Sequence, residues 1–474
     1  MSTEPSKTKI VATIGPASNA QPVMERLIQA GMNVARLNFS HGDFEGHRAV
    51  VASLRAASRA VGRRVAIMAD LPGPKMRIGE LAEEPITLQP GATIELTTRK
   101  EVGHAGRVSV SFDRLPRVVK AGDALYLNDG IIHLVVKAVD GDSVRCQVVA
   151  GGELRSRKGL NLPGIDLGMS AFTDRDRECL AFALSAGVDA VSQSFVATGA
   201  DVQAVREAAA RLGHRPFVIA KIERAIALEH VDDILDAADG VMIARGDLGV
   251  EIPIEQIAVV QKGLTRKAHF RGKPVITATQ MLESMITSSR PTRAEATDVA
   301  NAVYDGTDAV MLSGESAVGQ YPVEAVAMLG RIAREVEPFR PGAWVRQRLH
   351  EVVSDEPSSA TDVLALSIES AVERLAPQAV VAATRTGNTA RNITRFRLPA
   401  WVLGVSTHED TCQHLLFSYG VTPVHVQELP DDWRAFAREW LAARGKEASG
   451  VVIVCAGPSP KHPEASPRME IATL

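Results

Sequence analysis

The stretch "FVIAKIERAIALEHVDDILDAADGVMIARGD" (residues 217–247) contains the unit that decides the fold. It opens with the apolar run "FVIAKIE" and closes with a second one, "GVMIARGD", and both runs end on charged side chains. The segment between them has the length of a helix. A strand, a crossover helix and a second strand predict two neighbouring parallel strands of one sheet.

The same unit recurs along the chain. The apolar runs are "KIVATIG" (9–15), "VARLNFS" (34–40), "VAIMADL" (65–71), "DAVSQSF" (189–195), "FVIAKIE" (217–223), "GVMIARGD" (240–247), "PVITATQ" (274–280) and "DAVMLSGE" (308–315). Eight such units are enough to close a (β/α)8, or TIM, barrel. A doubly wound open sheet would show the same alternation, so the count of eight carries the prediction.

Two other segments depart from this pattern. Short alternating runs such as "ATIELTT" and "RVSVSF" predict an all-β insertion at the C-terminal end of the barrel. Its attachment at that face favours a lid over a decorative insertion. Beyond a stretch rich in proline and charge, strands alternating with helices predict a smaller α/β domain with an open sheet. The predicted domains are 1–73 with 168–342 (barrel), 74–167 (β-barrel lid) and 343–474 (C-terminal α/β domain).

Composition narrows the class of protein. The chain has 474 residues, of which 45% are hydrophobic and 23% charged, and its formal net charge is −3. That balance gives no reason to expect nucleic acid or an anionic membrane as a partner, and no apolar run approaches the roughly 18 residues of a spanning helix. The four cysteines lack any metal-ligand spacing. This argues against structural zinc and favours reduced thiols in a cytoplasmic protein.

Polar side chains stand where the predicted strands end, which is where a TIM barrel carries its chemistry. Lys221 and Glu223 lie two apart on one strand and therefore face the same way. Asp247 ends the next strand, and together the two carboxylates could hold one Mg²⁺ or Mn²⁺ and leave room for substrate oxygens. Each of these residues alone could be a salt-bridge partner, but their common position at the same end of the predicted strands favours an active site. The strand-end residues are Arg36, Asn38, Ser40, Asp70, Lys221, Glu223, Arg245, Asp247, Thr279 and Glu315.

Longer motifs give the chain a family resemblance. They run from Lys7 to about Pro322 and include "TKIVATIGPAS", "ARLNFSHG", "GPKMRIG", "KGLNLPG", "MIARGDLGVEIP", "ITATQMLESM" and "PTRAEATDVANAVYDGTDAVMLSGESAVGQYP". In content and order they resemble pyruvate kinases, of the bacterial, potassium-independent type. The resemblance implies the same barrel, lid and C-terminal domain. It also implies transfer of the phosphoryl group of phosphoenolpyruvate to ADP, giving pyruvate and ATP in the last step of glycolysis.

The resemblance implies roles for individual residues. Glu223 and Asp247 would bind Mg²⁺, and Lys221 would stabilise charge on the transferring phosphoryl group, as phosphoryl transfer requires. Thr279 acting through a water is a candidate proton donor to the enolate, although threonine is a poor acid. The substrate would be held by Arg36, Gly246, Asp247 and Thr279, and the nucleotide by Asn38, His41, Arg77 and Lys158.

The chain departs from many of these enzymes at the site of a monovalent K⁺. The ligands that match are Asn38, Ser40, Asp70 and the carbonyl of Leu71. Potassium-dependent members usually have threonine where Leu71 stands, followed by "KGPE", whereas this chain has "PGP" and then Lys75. We predict that the Lys75 ammonium supplies the positive charge, so that K⁺ is not required. The alternative is that Lys75 points to solvent from a lid hinge.

The C-terminal domain carries a candidate effector site in "VVAATRTGNTARNITRF". A Thr/Gly/Asn turn before a predicted helix offers backbone amides and hydroxyls to an anion, and in the family this loop holds the phosphate of a sugar-phosphate effector. The alternative is an ordinary capped helix. The effector could be glucose 6-phosphate, ribose 5-phosphate or AMP, or there could be none, and a homotetramer is expected. The site residues would be Thr384, Arg385, Thr386, Gly387, Asn388 and Thr389.

Two other functions compete with this one. A Mg²⁺-dependent C–C lyase of the phosphoenolpyruvate/pyruvate barrel superfamily would also use a Glu/Asp pair with an arginine, but it gives no reason for the lid or for Arg77 and Lys158. A non-catalytic sugar-phosphate sensor would keep the fold without the chemistry, and the presence of Lys221, Glu223 and Asp247 argues against it.

Overall fold

The eight predicted strands form a closed parallel barrel in a computed structural model that describes residues 5–339, 347, 360–445, 449–457 and 467–474. This confirms the predicted barrel. Around the barrel the neighbouring strands are Lys9–Thr13, Ala309–Leu312, Val275–Ala278, Gly240–Ala244, Phe217–Ile222, Ala190–Gln193, Ala66–Leu71 and Val34–Asn38.

Helices cover the outside of the barrel, and an extensive apolar core lies between them and the strands. Several begin with a capping box, as at Thr173 and Thr292, where the threonine side chain accepts from the third helical N–H and the acid at that position accepts in return. The helices of this region are Gln21–Ala30, Phe44–Val61, Asp174–Ser185, Gly199–Arg211, Ala225–Glu229, Val231–Ala237, Arg245–Glu251, Ile257–Phe270, Arg293–Asp305, Gly314–Ala317 and Pro322–Val336, with short 3₁₀ turns at Ile254–Gln256, Glu283–Ile286 and Glu337–Phe339.

The barrel interior changes from apolar to polar along its axis. Its lower layers belong to one apolar cluster that includes Val34, Met68, Ala190 and Ile219. Because side chains two apart on a strand share a face, the residues two positions later also point inward. Those residues are Arg36, Asp70, Ser192 and Lys221, and all of them are buried.

The insertion is β-rich, as predicted. It contains a six-stranded sheet, a two-stranded sheet and the short helix Leu115–Val118. The six strands, in spatial order, are Leu160–Asn161, Ala124–Leu127, Ile132–Asp140, Ser143–Ala150, Thr93–Thr97 and Arg107–Ser109, and the pair is Gly152–Leu154 with Ile86–Leu88.

One carboxylate joins the two points where the insertion meets the barrel. Asp176 is fully buried, and its Oδ1 accepts from the Gly73 N–H at 2.9 Å, where the chain leaves the barrel. Its Oδ2 accepts from the N–H and hydroxyl of Thr173, at 2.8 and 2.6 Å, where the chain returns. Both crossings of the lid are therefore fixed to the same side chain.

The C-terminal region forms a five-stranded α/β sheet, which confirms the predicted class. The strands, in spatial order, are Val421–His425, Val402–Ser406, Ala379–Ala383, Val451–Ala456 and Arg468–Thr473, and the helices are Ala360–Leu375, Asn388–Thr394, Glu409–His414 and Trp433–Ala442, with a 3₁₀ turn at Leu415–Phe417. The final strand is antiparallel to its neighbour. The predicted boundary between the barrel and the C-terminal domain, at residues 342 and 343, lies outside the described residues.

The C-terminal domain closes the lower end of the barrel. Leu416 and Phe417 join the apolar cluster of the barrel interior, and the Phe417 ring stacks on Phe217 at 5.2 Å. Beside them the buried carboxylate of Asp308 accepts from both terminal nitrogens of Arg397, at 2.6 and 2.8 Å. Across the described residues, no helix is both long and apolar enough to cross a membrane.

Candidate active site

Lys221 lies at the centre of the polar layer at the upper end of the barrel. Its Nζ is 2.8 Å from Glu223 Oε1 and 3.3 Å from Asp70 Oδ1, and it donates to Ser194 Oγ at 2.6 Å. Burial disfavours the ammonium, but the charges of Asp70 and Glu223 outweigh it, so the pKa of Lys221 is raised. The lysine is therefore a fixed cation at neutral pH.

Asp70 connects Lys221 with Arg36. Its Oδ2 accepts from Nε and Nη2 of Arg36, at 3.1 and 2.6 Å, and its Oδ1 accepts from the Ser192 hydroxyl at 2.6 Å. Burial works against this carboxylate, yet Lys221, Arg36 and Ser192 hold its pKa far below the ordinary value. Arg36 also donates to Thr13 Oγ1 at 2.9 Å. The carboxylate thus fixes two cations side by side.

Glu223 and Asp247 form the acidic part of the site. Both oxygens of Glu223 have partners, since Oε1 faces Lys221 and Oε2 accepts from the Phe195 N–H at 2.8 Å. Burial, and then the charge of Glu223, raise the pKa of Asp247 to about 6. Two carboxylates that disfavour each other's charge in a buried place provide the electrostatic setting that a divalent cation relieves.

The ligand set fits Mg²⁺ rather than zinc. Among the described residues there is no group of three or more His, Cys, Asp and Glu side chains that could hold a metal. Mg²⁺ is commonly held by one or two carboxylates and completes its coordination with water and substrate oxygens. Glu223 and Asp247 suit that mode.

Gly246 and Thr279 form a close contact beside Asp247. A Cβ on Gly246 would lie 2.7 Å from Thr279 Cγ2, so only glycine fits there. Thr279 has φ 73°, a rare conformation for a β-branched residue. Arg245 supports it, because its Nη2 donates to the Thr279 carbonyl at 2.8 Å while its guanidinium pairs with Asp298 at 2.7 Å. The strained turn therefore holds the Thr279 side chain against the backbone of Gly246.

Cations from the lid hinge gather near the barrel end. Burial lowers the pKa of His41, and the charges of Lys75, Arg77 and Arg36 lower it further, so these four groups share one electrostatic neighbourhood. The guanidinium of Arg77 donates to the Arg157 carbonyl at 2.8 Å. This cluster brings together three of the predicted nucleotide and phosphate contacts.

Lys158 lies beside Arg77 because the two chain segments that connect the lid to the barrel pair with each other. Its carbonyl accepts from the Ile78 N–H at 2.9 Å, and the next residue, Gly159, forms a β-bridge with Arg77. These are contacts of the backbone, so they place the residue at the hinge without placing its ammonium at the site.

Lys75 is an exposed residue, but its ammonium interacts electrostatically with the charged groups of the site. Desolvation by the surrounding protein, and then the charge of Lys221, lower its pKa, while Asp70, Glu223 and Asp247 raise it. Of the predicted monovalent site, Asn38 Oδ1 accepts from the Ser40 N–H at 3.1 Å.

The Leu71 carbonyl accepts from the Ser194 hydroxyl at 2.7 Å. One of the predicted monovalent-site ligands therefore already has a protein partner.

The predicted effector loop is a turn that leads into the helix Asn388–Thr394. The Gly387 N–H donates to Thr384 Oγ1 at 2.9 Å, and the Arg385 carbonyl accepts from Thr411 Oγ1 at 2.7 Å. Arg391 reaches back to the loop from within the helix. Thr386 and Asn388 line a cleft facing the barrel.

Two residues of the site, Ser192 and Ser194, were missing from the sequence prediction. Ser192 and Ser194 bind Asp70 and Lys221, and they lie two apart in "DAVSQSF". Polar residues at alternate positions of a buried strand were the available signal. Glu315, one of the strand-end candidates, has a structural role instead, because its carboxylate accepts from the N–H groups of Leu282 and Ser313, at 3.0 and 2.7 Å.

Comparison with known proteins gives a consistent picture. The family model described as "Pyruvate kinase, barrel domain" matches residues 5–326, and the one described as "Pyruvate kinase, alpha/beta domain" matches residues 362–471. A pyruvate kinase of Thermococcus litoralis is 47% identical over 424 residues, which is 89% of each chain. One of Mycobacterium tuberculosis (strain H37Rv) is 42% identical over 454 residues, or 95% of each chain. The crystal structure of a pyruvate kinase from Cryptosporidium parvum superposes with a TM-score of 0.90 at 35% identity, covering 99% of this chain and 96% of the other.

Proposed function

This chain belongs to the pyruvate kinase family and is a phosphotransferase, and from that premise we propose how its residues transfer the phosphoryl group of phosphoenolpyruvate to ADP. The observation that carries the proposal is the position of Lys221. Its ammonium lies within 3.3 Å of two carboxylates at the upper ends of barrel strands, Asp70 and Glu223. A fixed cation so placed can neutralise charge on a phosphoryl group between donor and acceptor.

The remaining residues bind and orient the substrate. Arg36, fixed by Asp70, would hold the phosphate. The amides at Gly246 and Asp247, together with the Thr279 hydroxyl, would receive the carboxylate. Thr279, acting through a water, would also deliver the proton that converts the enolate to pyruvate. Such positioning is most of what phosphoryl transfer asks of a protein.

Glu223 and Asp247 would hold Mg²⁺, or Mn²⁺ in its place. When bound, the cation would neutralise charge on the substrate oxygens. Burial, and then the charge of Glu223, raise the pKa of Asp247, and a bound divalent cation would relieve both effects, which supports that role. Asn38, His41, Arg77 and Lys158 would contact the nucleotide from the barrel and the lid hinge.

The reaction would proceed without K⁺. The charges of Asp70, Glu223 and Asp247 act on the Lys75 ammonium, and the Ser194 hydroxyl donates a hydrogen bond to the Leu71 carbonyl. The positive charge of the monovalent site would then come from the Lys75 ammonium. The remaining ligands of that site would be Asn38, Ser40 and Asp70.

Regulation and assembly extend the proposal. A phosphorylated effector, either a sugar phosphate or AMP, would bind at the loop Thr384–Thr389, and the enzyme would be a cytoplasmic homotetramer. Buried free thiols at Cys146, Cys179, Cys412 and Cys455 suit a reducing compartment. The barrel would comprise residues 1–73 and 168–342, the lid 74–167 and the regulatory domain 343–474.

A coupled assay tests the activity directly. ATP should form from phosphoenolpyruvate and ADP when Mg²⁺ is present, and a chelator should abolish it. Formation of products from a C–C cleavage substrate without ATP synthesis would favour the lyase instead. Absence of both reactions, with sugar-phosphate binding retained, would favour the sensor.

A further inference from the structure

A small cavity lies between the lower end of the barrel and the C-terminal domain. Its volume is about 10 Å³, which is about the space that the centre of one water-sized particle needs. A phosphate group is too large for it. Lys273 and Asp308 line the cavity from the barrel, and Arg391, Arg395, Arg397 and Ser418 line it from the C-terminal domain.

Unpartnered hydrogen-bond donors are concentrated around this cavity. Among the described residues, eight buried side-chain nitrogen or oxygen atoms have no hydrogen-bond partner, and four of them belong to residues that line the cavity. These four are Arg391 Nη1, Arg395 Nε, Arg397 Nε and Ser418 Oγ. The same three arginines use other nitrogens to donate to oxygen atoms of the protein. Because a buried donor without an acceptor is costly, and a charged one more so, the cluster indicates that the cavity holds an acceptor.

The lining of the cavity carries more positive than negative charge. The cations are Lys273, Arg391, Arg395 and Arg397, and the carboxylate is Asp308. Both oxygens of Asp308 already accept from Arg397, at 2.6 and 2.8 Å. Within the described residues, the lining therefore offers a ligand donors and positive charge.

Acidic residues outside the cavity are engaged in ion pairs of their own. Asp362 pairs with Arg395. Asp239 interacts electrostatically with Lys273 and Arg391, but it pairs with Arg206 at 2.8 Å. These carboxylates reduce the positive charge around the cavity without supplying an acceptor to its unpartnered donors.

A monatomic anion matches these donors better than a water molecule does. A buried water makes about three hydrogen bonds and brings two protons that need acceptors of their own. A halide ion accepts from several sides, donates nothing and offsets positive charge. Three guanidinium groups and a hydroxyl around a space for one small particle are therefore the surroundings that a halide requires.

We propose that this cavity binds one chloride ion, held by Arg391, Arg395, Arg397 and Ser418. Arg395 also donates to the Phe270 carbonyl of the barrel at 3.0 Å, and Arg397 donates to Asp308. The ion would thus fix the side chains that join the C-terminal domain to the barrel. The site lies at the opposite end of the barrel strands from Lys221, and it does not depend on the proposed catalysis.

Long-wavelength diffraction from crystals of the full chain grown in sodium chloride tests the site directly. Chloride gives an anomalous signal at such wavelengths, whereas water does not. We expect an anomalous peak inside the cavity, within hydrogen-bonding reach of the four unpartnered atoms. A cavity that holds water without an anomalous peak, or that is empty, would overturn the proposal.

Thermal unfolding of the full chain at constant ionic strength measures the effect of the ion in solution. Replacing sodium gluconate, whose anion is too large for the cavity, with sodium chloride should raise Tm by about 2–4 °C, because a ligand that binds the folded state stabilises it. The same Tm in both salts would contradict the proposal.

Two variants locate the effect of chloride. Arg391→Met and Ser418→Ala each remove one donor, and each should remove at least half of the chloride-dependent rise in Tm. Arg211→Met, on an exposed arginine of an outer barrel helix, should keep the full rise. Ser418→Ala deletes a single oxygen atom, so it still tests the site if Arg391→Met does not fold.

The pattern across these variants distinguishes the possible outcomes. A rise in Tm that stays complete in both cavity variants would mean that chloride acts elsewhere, and it would overturn the proposal. The expected variant pattern in a chain that makes no ATP would support the chloride site and refute the proposed catalysis.

Discussion

The hydroxyl of Ser194 donates to the Leu71 carbonyl at 2.7 Å while its oxygen accepts from Lys221 Nζ at 2.6 Å. One small side chain thus contacts both the central lysine and a backbone oxygen of the predicted monovalent site. Ser194 therefore bears both on the position of Lys221 and on whether the enzyme needs K⁺.

Replacing Ser194 with alanine should lower kcat by about tenfold, because a hydrogen bond to a charged group is worth about 1.5–3 kcal/mol. Steady-state kinetics with saturating phosphoenolpyruvate and ADP would measure the fall. Ser185→Ala, at the end of an outer helix, is the matched control. An unchanged kcat in Ser194→Ala would mean that Lys221 does not need this contact.

Turnover should be the same in K⁺ and in a tetraalkylammonium salt, because Lys75 supplies the charge. Lys75→Glu should create a K⁺ requirement, whereas Lys120→Glu, on an exposed lid lysine, should not. Titration of activity with K⁺ gives the readout. Strong activation of the natural chain by K⁺ would contradict the prediction.

Lys221→Met should reduce kcat by about 10³-fold, in the range observed when a preorganised charge-stabilising group is removed. The KM for phosphoenolpyruvate should change much less, because the charge acts mainly on the transferring group. Circular dichroism should establish that the variant folds. A variant that folds and turns over normally would show that the phosphoryl group is stabilised elsewhere.

Gly246→Ala should raise the KM for phosphoenolpyruvate by about tenfold, since the new methyl meets Thr279 Cγ2 at 2.7 Å and overpacking costs about 1–3 kcal/mol. Adding Thr279→Ser removes that methyl group and should restore part of the loss. A double-mutant cycle on kcat/KM measures the coupling. Strictly additive effects would rule out the contact as the cause.

Asp308→Asn should destabilise the fold by about 3 kcal/mol, because it leaves Arg397 buried without its carboxylate. Although burial alone would raise it, the pKa of Asp308 is lowered overall, chiefly by Arg397 and by His269. The stabilisation is therefore present above the ordinary carboxyl pKa and is lost as the pH falls through the lower folded value. Thermal unfolding from pH 7 downward should show a shallower acid dependence in the variant than in the natural chain.

Much of this molecule could be predicted from local sequence. The barrel followed from eight repeats of one pattern, and Lys221, Glu223 and Asp247 followed from their places at strand ends. Ser192 could have been predicted in the same way, because it lies two residues beyond Ala190, which belongs to the apolar cluster inside the barrel.

Other features depend on contacts between distant segments. Asp176 binds Gly73 across the whole insertion, and the guanidinium of Arg391 lies over the Phe217 ring only because the C-terminal domain packs against the barrel. No local pattern of charge or hydrophobicity contains either relationship. The same holds for the last strand, Arg468–Thr473, which is recognisable as a strand only through its antiparallel partner.

The carboxylate of Asp176 gives the lid a pivot. A body attached to another at two neighbouring points can turn about the line that joins them, and it has little freedom to slide or twist. Because Gly73 and Thr173 are bound to the same side chain, any movement of the lid relative to the barrel would turn about these two points. The lid turn at Gly130 lies against Val250, in the helix that also contains Asp247, so a rotation of the lid about these two points would change how Asp247 is covered.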